Sequence, residues 1–139
     1  MRLRLRSPES ESLAEDASAS ALFQMPVLRL QSNANPTADA RNALRKDLSS
    51  SIAAWLGKSE AYVMIQMAFD LDMSFGGAND GCAYCELISL GMDKDSHASL
   101  AESIASFLSE RLSIPLDRIY IRFESPPRSD FAWNGKPFG

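Results

Sequence analysis

The chain has 139 residues, of which 45% are apolar, and its formal charge at pH 7 is −4. This length and composition suit one domain with a real core, and the negative charge argues against nucleic acid or an anionic membrane as the main partner. No apolar run approaches the roughly 18 residues that a membrane-spanning helix needs, and two cysteines cannot form a dense disulfide framework. We therefore expect a soluble protein of a reducing compartment, with the cytoplasm as its location.

Residues 1–24 differ in composition from the rest of the chain. The first six residues include three arginines, and four acidic residues follow between positions 9 and 16. The segment lacks the continuous apolar stretch of a secretory signal. We expect a disordered N-terminal extension, with an organelle transit peptide and a translation start at Met25 as the alternatives.

Regular patterns begin at Pro26. Residues 27–33 alternate between apolar and polar types, which predicts a half-buried strand. Asn35-Pro36 opens a predicted helix, in which five apolar residues recur every four positions: Ala40, Leu44, Leu48, Ile52 and Leu56. Gly57 stands where a helix C-cap is expected. Residues 62–69 are apolar at almost every position, which predicts a strand buried on both faces.

The same order of elements repeats after a loop that contains Gly76-Gly77. Residues 82–90 predict a strand. Asp95 or Ser96 caps a predicted helix whose inward residues are Leu100, Ile104, Phe107, Leu108 and Leu112. Residues 118–124 alternate and predict a further strand, and residues 131–133 predict a short edge strand.

These elements predict an α/β fold in which a strand–helix–strand unit is used twice. Each unit should form a right-handed parallel strand pair with its helix packed on the sheet. Two helices cover only one face of a four-stranded sheet, and the predicted strand at residues 62–69 has apolar residues on both faces. Because no element of the chain is left for the second face, we infer a homo-oligomer whose sheets pack together.

Residues 25–139 resemble the macrophage migration inhibitory factor family, which includes D-dopachrome tautomerase. Several short motifs follow one another in the family's order. They are Met25-Pro26, Gly57-Lys58, Tyr62, Met-Ser-Phe-Gly-Gly at 73–77, Cys-Ala-Tyr-Cys at 82–85, Glu110-Arg111-Leu112, Asp117-Arg118, Tyr120-Ile121, Trp133-Asn134-Gly135 and Phe138. Each motif alone is weak, and their order along the whole domain is specific.

The resemblance implies a tandem β-α-β fold of the α/β or α+β class, with a mixed four-stranded sheet and two helices on one face. It also implies assembly into a homotrimer and an activity that needs no cofactor and no metal. The implied reaction is keto–enol tautomerisation of phenylpyruvate-like α-keto acids or dopachrome. For animal members the family adds cytokine action on a protein receptor, after secretion without a signal peptide.

Keto–enol exchange requires a base that removes a proton from the carbon next to a carbonyl group. A free α-amine has a pKa of about 8, and apolar surroundings or nearby cations lower that pKa, so the amine can act as a neutral base. The resemblance assigns this role to Pro26. It assigns the substrate carboxylate to Lys58 and a further substrate contact to the backbone N–H of Leu90.

Tyr120 and Trp133 resemble the aromatic walls of the family's pocket, with Tyr120 supplied by a neighbouring subunit. Arg122 stands where better-known members carry an asparagine that contacts substrate, so it could hold a carboxylate in two hydrogen bonds or clash with the substrate ring. Phe131 replaces a smaller valine and could narrow the pocket. Substrate preference therefore stays open.

Three further features are interpreted as structural. Cys82 and Cys85 lie on a predicted strand, away from the helix N-terminus where low-pKa thiols are found, and are predicted to be buried thiols. His97, the single histidine, is predicted to be a surface residue in the first helical turn. Gly76-Gly77 lacks the following lysine and hydroxyl residue of a phosphate-binding loop.

The availability of the Pro26 nitrogen separates two functions. In the sequence as written Met25 acylates this nitrogen, and an amide nitrogen has no basic lone pair. Translation from Met25 followed by removal of the methionine, or cleavage before Pro26, would free the amine and give a tautomerase. Retention of residues 1–24 would give a non-catalytic binding or signalling trimer. Both interpretations are open at this point.

Overall fold

Two helices lie on one face of a four-stranded sheet in the computed structural model, which describes residues 25–139. The strands of the sheet are β1 (Val27–Ser32), β2 (Met64–Ala68), β3 (Ala83–Ile88) and β4 (Ile119–Glu124), and the helices are α1 (Ala38–Leu56) and α2 (His97–Leu112). A hairpin of β5 (Ala132–Trp133) and β6 (Lys136–Pro137) follows β4. The prediction for residues 1–24 falls outside the described part of the chain.

The sheet has the strand order β2-β1-β3-β4. β1 is parallel to β2, β3 is parallel to β4, and the two parallel pairs meet in an antiparallel contact between β1 and β3. The tandem β-α-β repeat with a mixed sheet is confirmed. Within residues 25–139 neither helix is long and apolar enough to cross a membrane.

The core lies between the two helices and the covered face of the sheet. The buried residues of this core are Leu28, Leu30, Ala83, Cys85, Leu87, Leu44, Leu48, Ile52, Leu100, Ile104, Leu108 and Ile114, and apolar residues of β2 and β4 pack against them. The prediction for Ala40 is wrong, since Ala40 lies exposed in the first turn of α1. Leu44, one turn later, is the first residue of α1 that reaches the core.

The ends of α1 are fixed by local chemistry. Thr37, not Asn35-Pro36, starts the helix, because its hydroxyl accepts the N–H of Ala40 at 3.2 Å. Gly57 ends it in the left-handed conformation with φ 65°, as predicted. Lys58 is the next residue, so it lies at the C-terminal end of α1.

β2 is an edge strand, and the prediction that it is buried on both faces is wrong for the single protomer. Ile65 and Met67 pack against the core, whereas Met64 is 62% exposed and Gln66 is exposed as well. A run of apolar residues carries no strand order, so it could not distinguish an edge strand from a central one.

The face of the sheet opposite the helices carries a row of charges. Arg29 of β1, Glu86 of β3 and Arg122 of β4 lie side by side in register. The two oxygens of Glu86 accept hydrogen bonds from Arg29 at 3.2 Å and from Arg122 at 3.0 Å. The uncovered face is therefore polar at its centre.

Candidate functional site

Pro26 lies at the head of β1, the strand that joins the two halves of the sheet. Its side chain is fully buried, and its carbonyl accepts the N–H of Met64 at 2.9 Å. Val27 lies opposite Ile88 of β3, so the same register continued by one residue brings Ser89 opposite Pro26. Paired strands hold such residues with Cα atoms about 5 Å apart. The Pro26 nitrogen is thus set between the ends of β2 and β3.

The ammonium group of Lys58 lies at the same end of the sheet. Nζ donates to the hydroxyl of Ser89 at 2.6 Å and to the carbonyl of Leu90 at 2.7 Å. Burial lowers the pKa of Lys58 well below its ordinary value, to about 8. Because Ser89 is the register neighbour of Pro26, a cation stands close to the head of β1.

An apolar cleft of about 360 Å³ lies beside the head of β1. Both chain neighbours of Pro26, Met25 and Val27, line this cleft, together with Ala61, Tyr62, Val63, Met64, Phe131, Ala132 and Trp133. The rings of Tyr62 and Trp133 meet edge to face with centroids 5.5 Å apart. An apolar cleft and a fixed cation at the same end of a sheet are together suited to an aromatic ring that carries an anionic group.

A larger depression of about 510 Å³ lies between α1 and β2. It is lined by surface residues such as Arg45, Lys46 and Glu60, and none of the predicted site residues contributes to it. Size alone would favour this depression, but it lacks the aromatic walls of the smaller cleft and does not lie beside the head of β1.

Met25 occupies one wall of the cleft beside Pro26. Its side chain is buried, and its φ of 75° lies in the left-handed region that non-glycine residues rarely adopt. Its carbonyl carbon forms the amide bond to the Pro26 nitrogen. While Met25 is present, the nitrogen of Pro26 is neither basic nor open to the cleft.

A tight turn brings Trp133 to the cleft. Asn134 and Gly135 connect β5 to β6 with φ values of 53° and 79°, the left-handed pair that Asn-Gly favours in two-residue hairpins. The predicted short strand at 131–133 is therefore present in slightly shorter form, and Phe131 just before it and Trp133 within it line the same cleft.

Tyr120 and Arg122 do not reach the cleft within one protomer. Tyr120 pairs with Tyr84 of β3, which pairs with Gln31 of β1. Gln31 is five residues beyond Pro26, so Tyr120 lies about 17 Å along the strands and about 10 Å across them from Pro26. The guanidinium of Arg122 is held by Glu86 at 3.0 Å and by Glu124 at 3.3 Å.

His97 is placed differently from its prediction. It is the first residue of α2, as expected, but it is partly buried, and its ring stacks on Phe123 with centroids 4.5 Å apart and an interplanar angle of 13°. The aromatic neighbour comes from β4, and sequence spacing gave no indication of that contact.

Both cysteines are buried free thiols, as predicted. Burial, with a smaller contribution from the Glu86 carboxylate, raises the pKa of Cys85 to about 12. We expect Cys85 in the Cys82→Ser variant to resist an aromatic disulfide reagent at pH 8 while the protein is folded, because the thiolate is the reacting species. The same variant in denaturant should react fully within minutes. Rapid labelling of the folded variant would contradict the burial of this thiol.

Sequence reasoning missed Ser89 and much of the cleft wall. Tyr62 was noted only as part of a motif, and Val63 and Met64 only as strand residues. The position of Ser89 opposite Pro26 depends on the antiparallel pairing of β1 with β3, which joins the two repeats. No local pattern encodes that pairing.

The sequence matches the family model described as "Macrophage migration inhibitory factor (MIF)" over residues 25–139. It is similar to a macrophage migration inhibitory factor homolog from Brugia malayi, 37% identical over 116 residues that cover 83% of this chain and 100% of the relative. It is also similar to macrophage migration inhibitory factor from Mus musculus, 30% identical over 82% of this chain and 99% of the relative.

Solved structures have the same architecture. A macrophage migration inhibitory factor homologue from Prochlorococcus marinus is 37% identical with a TM-score of 0.76, covering 81% of this chain and 99% of the other. The factor from Trichinella spiralis is 26% identical with a TM-score of 0.74, covering 80% and 98%.

Proposed function

The chain belongs to the macrophage migration inhibitory factor family, and from this premise we propose that it is a cofactor-independent keto–enol tautomerase that uses the amine of Pro26 as general base. Proteins of this family are tautomerase-type isomerases. The proposed substrates are phenylpyruvate-like α-keto acids or dopachrome. One observation carries the proposal: the two chain neighbours of Pro26 line an apolar cleft with aromatic walls, and Ser89, the register neighbour of Pro26, accepts a hydrogen bond from the Lys58 ammonium.

The proposed reaction moves one proton. The neutral Pro26 amine removes a proton from the methylene carbon next to the keto group and becomes a cation. The same proton then goes to the keto oxygen, which gives the enol and returns the amine to its neutral form. Lys58 binds the substrate carboxylate, the backbone N–H of Leu90 contacts the substrate, and the ring lies against Trp133.

Tyr120 supports a proposal of assembly into a homotrimer. Its side chain is 64% exposed, yet the ring is held against Phe75 with centroids 4.9 Å apart. An exposed aromatic ring in a fixed position is suited to complete a neighbour's site. Arg122 lies two residues further on the same strand, so it would reach the neighbour's site together with Tyr120. We propose that Arg122, with Phe131 in the cleft wall, sets substrate preference.

Subunits that each lack one half of the shared site should rescue each other. In chains that begin at position 26, Tyr120→Ala and Pro26→Gly are each expected to have low turnover. After the two are mixed, unfolded and refolded together in equal amounts, about a quarter of the sites would combine an intact Pro26 with a neighbour's Tyr120. Phenylpyruvate turnover and light scattering measure the outcome. A mixture no more active than its components, or a monomeric mass, would contradict the shared site.

The second candidate function is a catalytically silent trimer that binds a protein receptor. Its support is Met25, which acylates Pro26 and lines the cleft with a buried side chain. We propose the cytoplasm as the location of the protein, with export without a signal peptide in addition.

Intact mass of the protein from its natural source, with phenylpyruvate turnover on the same sample, decides between the tautomerase and the silent trimer. A mass that begins at Pro26 with turnover supports the tautomerase, and a mass that begins at Met1 without turnover supports the silent trimer.

A further inference from the structure

Ser89 is a buried polar residue that lies in contact with the proposed carboxylate-binding group. Its relative exposure is 0%, and its hydroxyl accepts a hydrogen bond from Lys58 Nζ at 2.6 Å. Its own N–H donates to the carbonyl of Glu124 at 3.0 Å, which continues the β3–β4 ladder by one residue. The hydroxyl is therefore fixed to the sheet, not carried by a mobile loop.

The contacts of Lys58 leave one part of its ammonium group available. Two of its three protons go to Ser89 Oγ and to the carbonyl of Leu90, and within residues 25–139 no further acceptor contacts Nζ. A lysine side chain has four rotatable bonds and loses considerable freedom when it is fixed. Two rigid acceptors remove that freedom before a ligand arrives, and the third proton stays available for an anion.

We infer that Ser89 is a positioning residue whose hydroxyl holds the Lys58 ammonium at the head of β1, so that the remaining proton faces the carboxylate of the substrate. This inference rests on the proposed function. It adds that binding of the carboxylate depends on a serine that itself need not touch the substrate. A lysine without this hydroxyl would keep its charge but would sample other orientations.

The test compares Ser89→Ala with Ser89→Thr in chains that begin at Pro26. Ser89→Ala is expected to raise KM for phenylpyruvate about tenfold, the effect of one hydrogen bond to a charged group, with kcat nearly unchanged. KM for the methyl ester of phenylpyruvate, which has no carboxylate, should not change. Ser89→Thr keeps the hydroxyl and should restore KM for the acid.

Ser32→Ala is the matched control. Ser32 is also 0% exposed, and its hydroxyl donates to the carbonyl of Cys82 at 2.7 Å, at the opposite end of β1. It should lower thermal stability about as much as Ser89→Ala does and leave both KM values unchanged. Equal increases of KM for acid and ester, or an equal increase in the Ser32→Ala variant, would show that Ser89 has only a structural role.

Failure of the proposed function can be told apart from failure of this inference. If the unmodified chain that begins at Pro26 shows no turnover, the tautomerase proposal fails, and the dissociation constant of phenylpyruvate measured by titration calorimetry takes the place of KM. Weaker binding in Ser89→Ala alone then still supports the inference. Unchanged binding in Ser89→Ala, or no binding to the unmodified chain, overturns it.

Discussion

Turnover of phenylpyruvate is expected to be a hundredfold to ten-thousandfold faster for a chain that begins at Pro26 than for the chain that begins at Met1, the range that a positioned general base contributes. In the longer chain the Pro26 nitrogen is an amide, and no shift of pKa makes an amide nitrogen basic. The buried side chain of Met25 also forms one wall of the cleft. Ultraviolet absorbance of the enol measures both rates.

The short chain can be made by starting translation at Met25, because methionine aminopeptidase removes a methionine that precedes proline. Intact mass before and after each assay shows which N-terminus was present. Pro26→Gly in the short chain is the control, since it keeps a free α-amine but loses the secondary amine and its fixed ring. Turnover at the same rate by a chain whose mass still begins at Met1 would contradict the role of the free amine.

Local signals predicted most of the elements, and the failures have physical causes. Gly57 ended α1 as expected because a left-handed C-cap depends only on neighbouring residues. The predicted start of α1 at Asn35-Pro36 is wrong because the hydroxyl of Thr37 caps the helix by accepting the N–H of Ala40. The predicted burial of β2 on both faces is wrong for the single protomer, because apolar content does not specify whether a strand lies at the edge or the centre of a sheet.

The candidate site, like the fold, could be predicted only in part from the sequence. Resemblance alone indicated Pro26, Lys58, Leu90 and Trp133, and the structure brings these residues to one end of the sheet. Ser89 was missed because its position depends on the pairing between the two repeats. Residues that are far apart in the sequence become neighbours in space where β1 pairs with β3. The position of Ser89 opposite Pro26 is therefore visible only in the folded sheet.

Replacement of Lys58 by glutamine in the chain that begins at Pro26 is expected to raise KM for phenylpyruvate roughly tenfold to a hundredfold, the loss that accompanies removal of one charged hydrogen bond. KM for the methyl ester should stay the same, because the ester offers no carboxylate. Lys94→Gln is a suitable control, since Lys94 precedes α2 on an exposed turn. Equal effects on acid and ester would mean that Lys58 does not bind the carboxylate.

The carboxylate-binding role of Lys58 also predicts the direction in which KM changes with pH. Because burial holds the pKa of Lys58 at about 8, the ammonium is present below pH 8 and is lost as the pH rises through that value. KM for the acid should therefore rise above pH 8 in the unmodified chain, while KM for the ester stays flat. Lys58→Gln should remove the dependence, since glutamine does not titrate. Lys58→Arg should move the rise to higher pH, since a guanidinium stays charged.

Pro26 must lose its proton to act as a base. The ratio kcat/KM for the acid should therefore pass through a maximum between the pKa of Pro26 and that of Lys58.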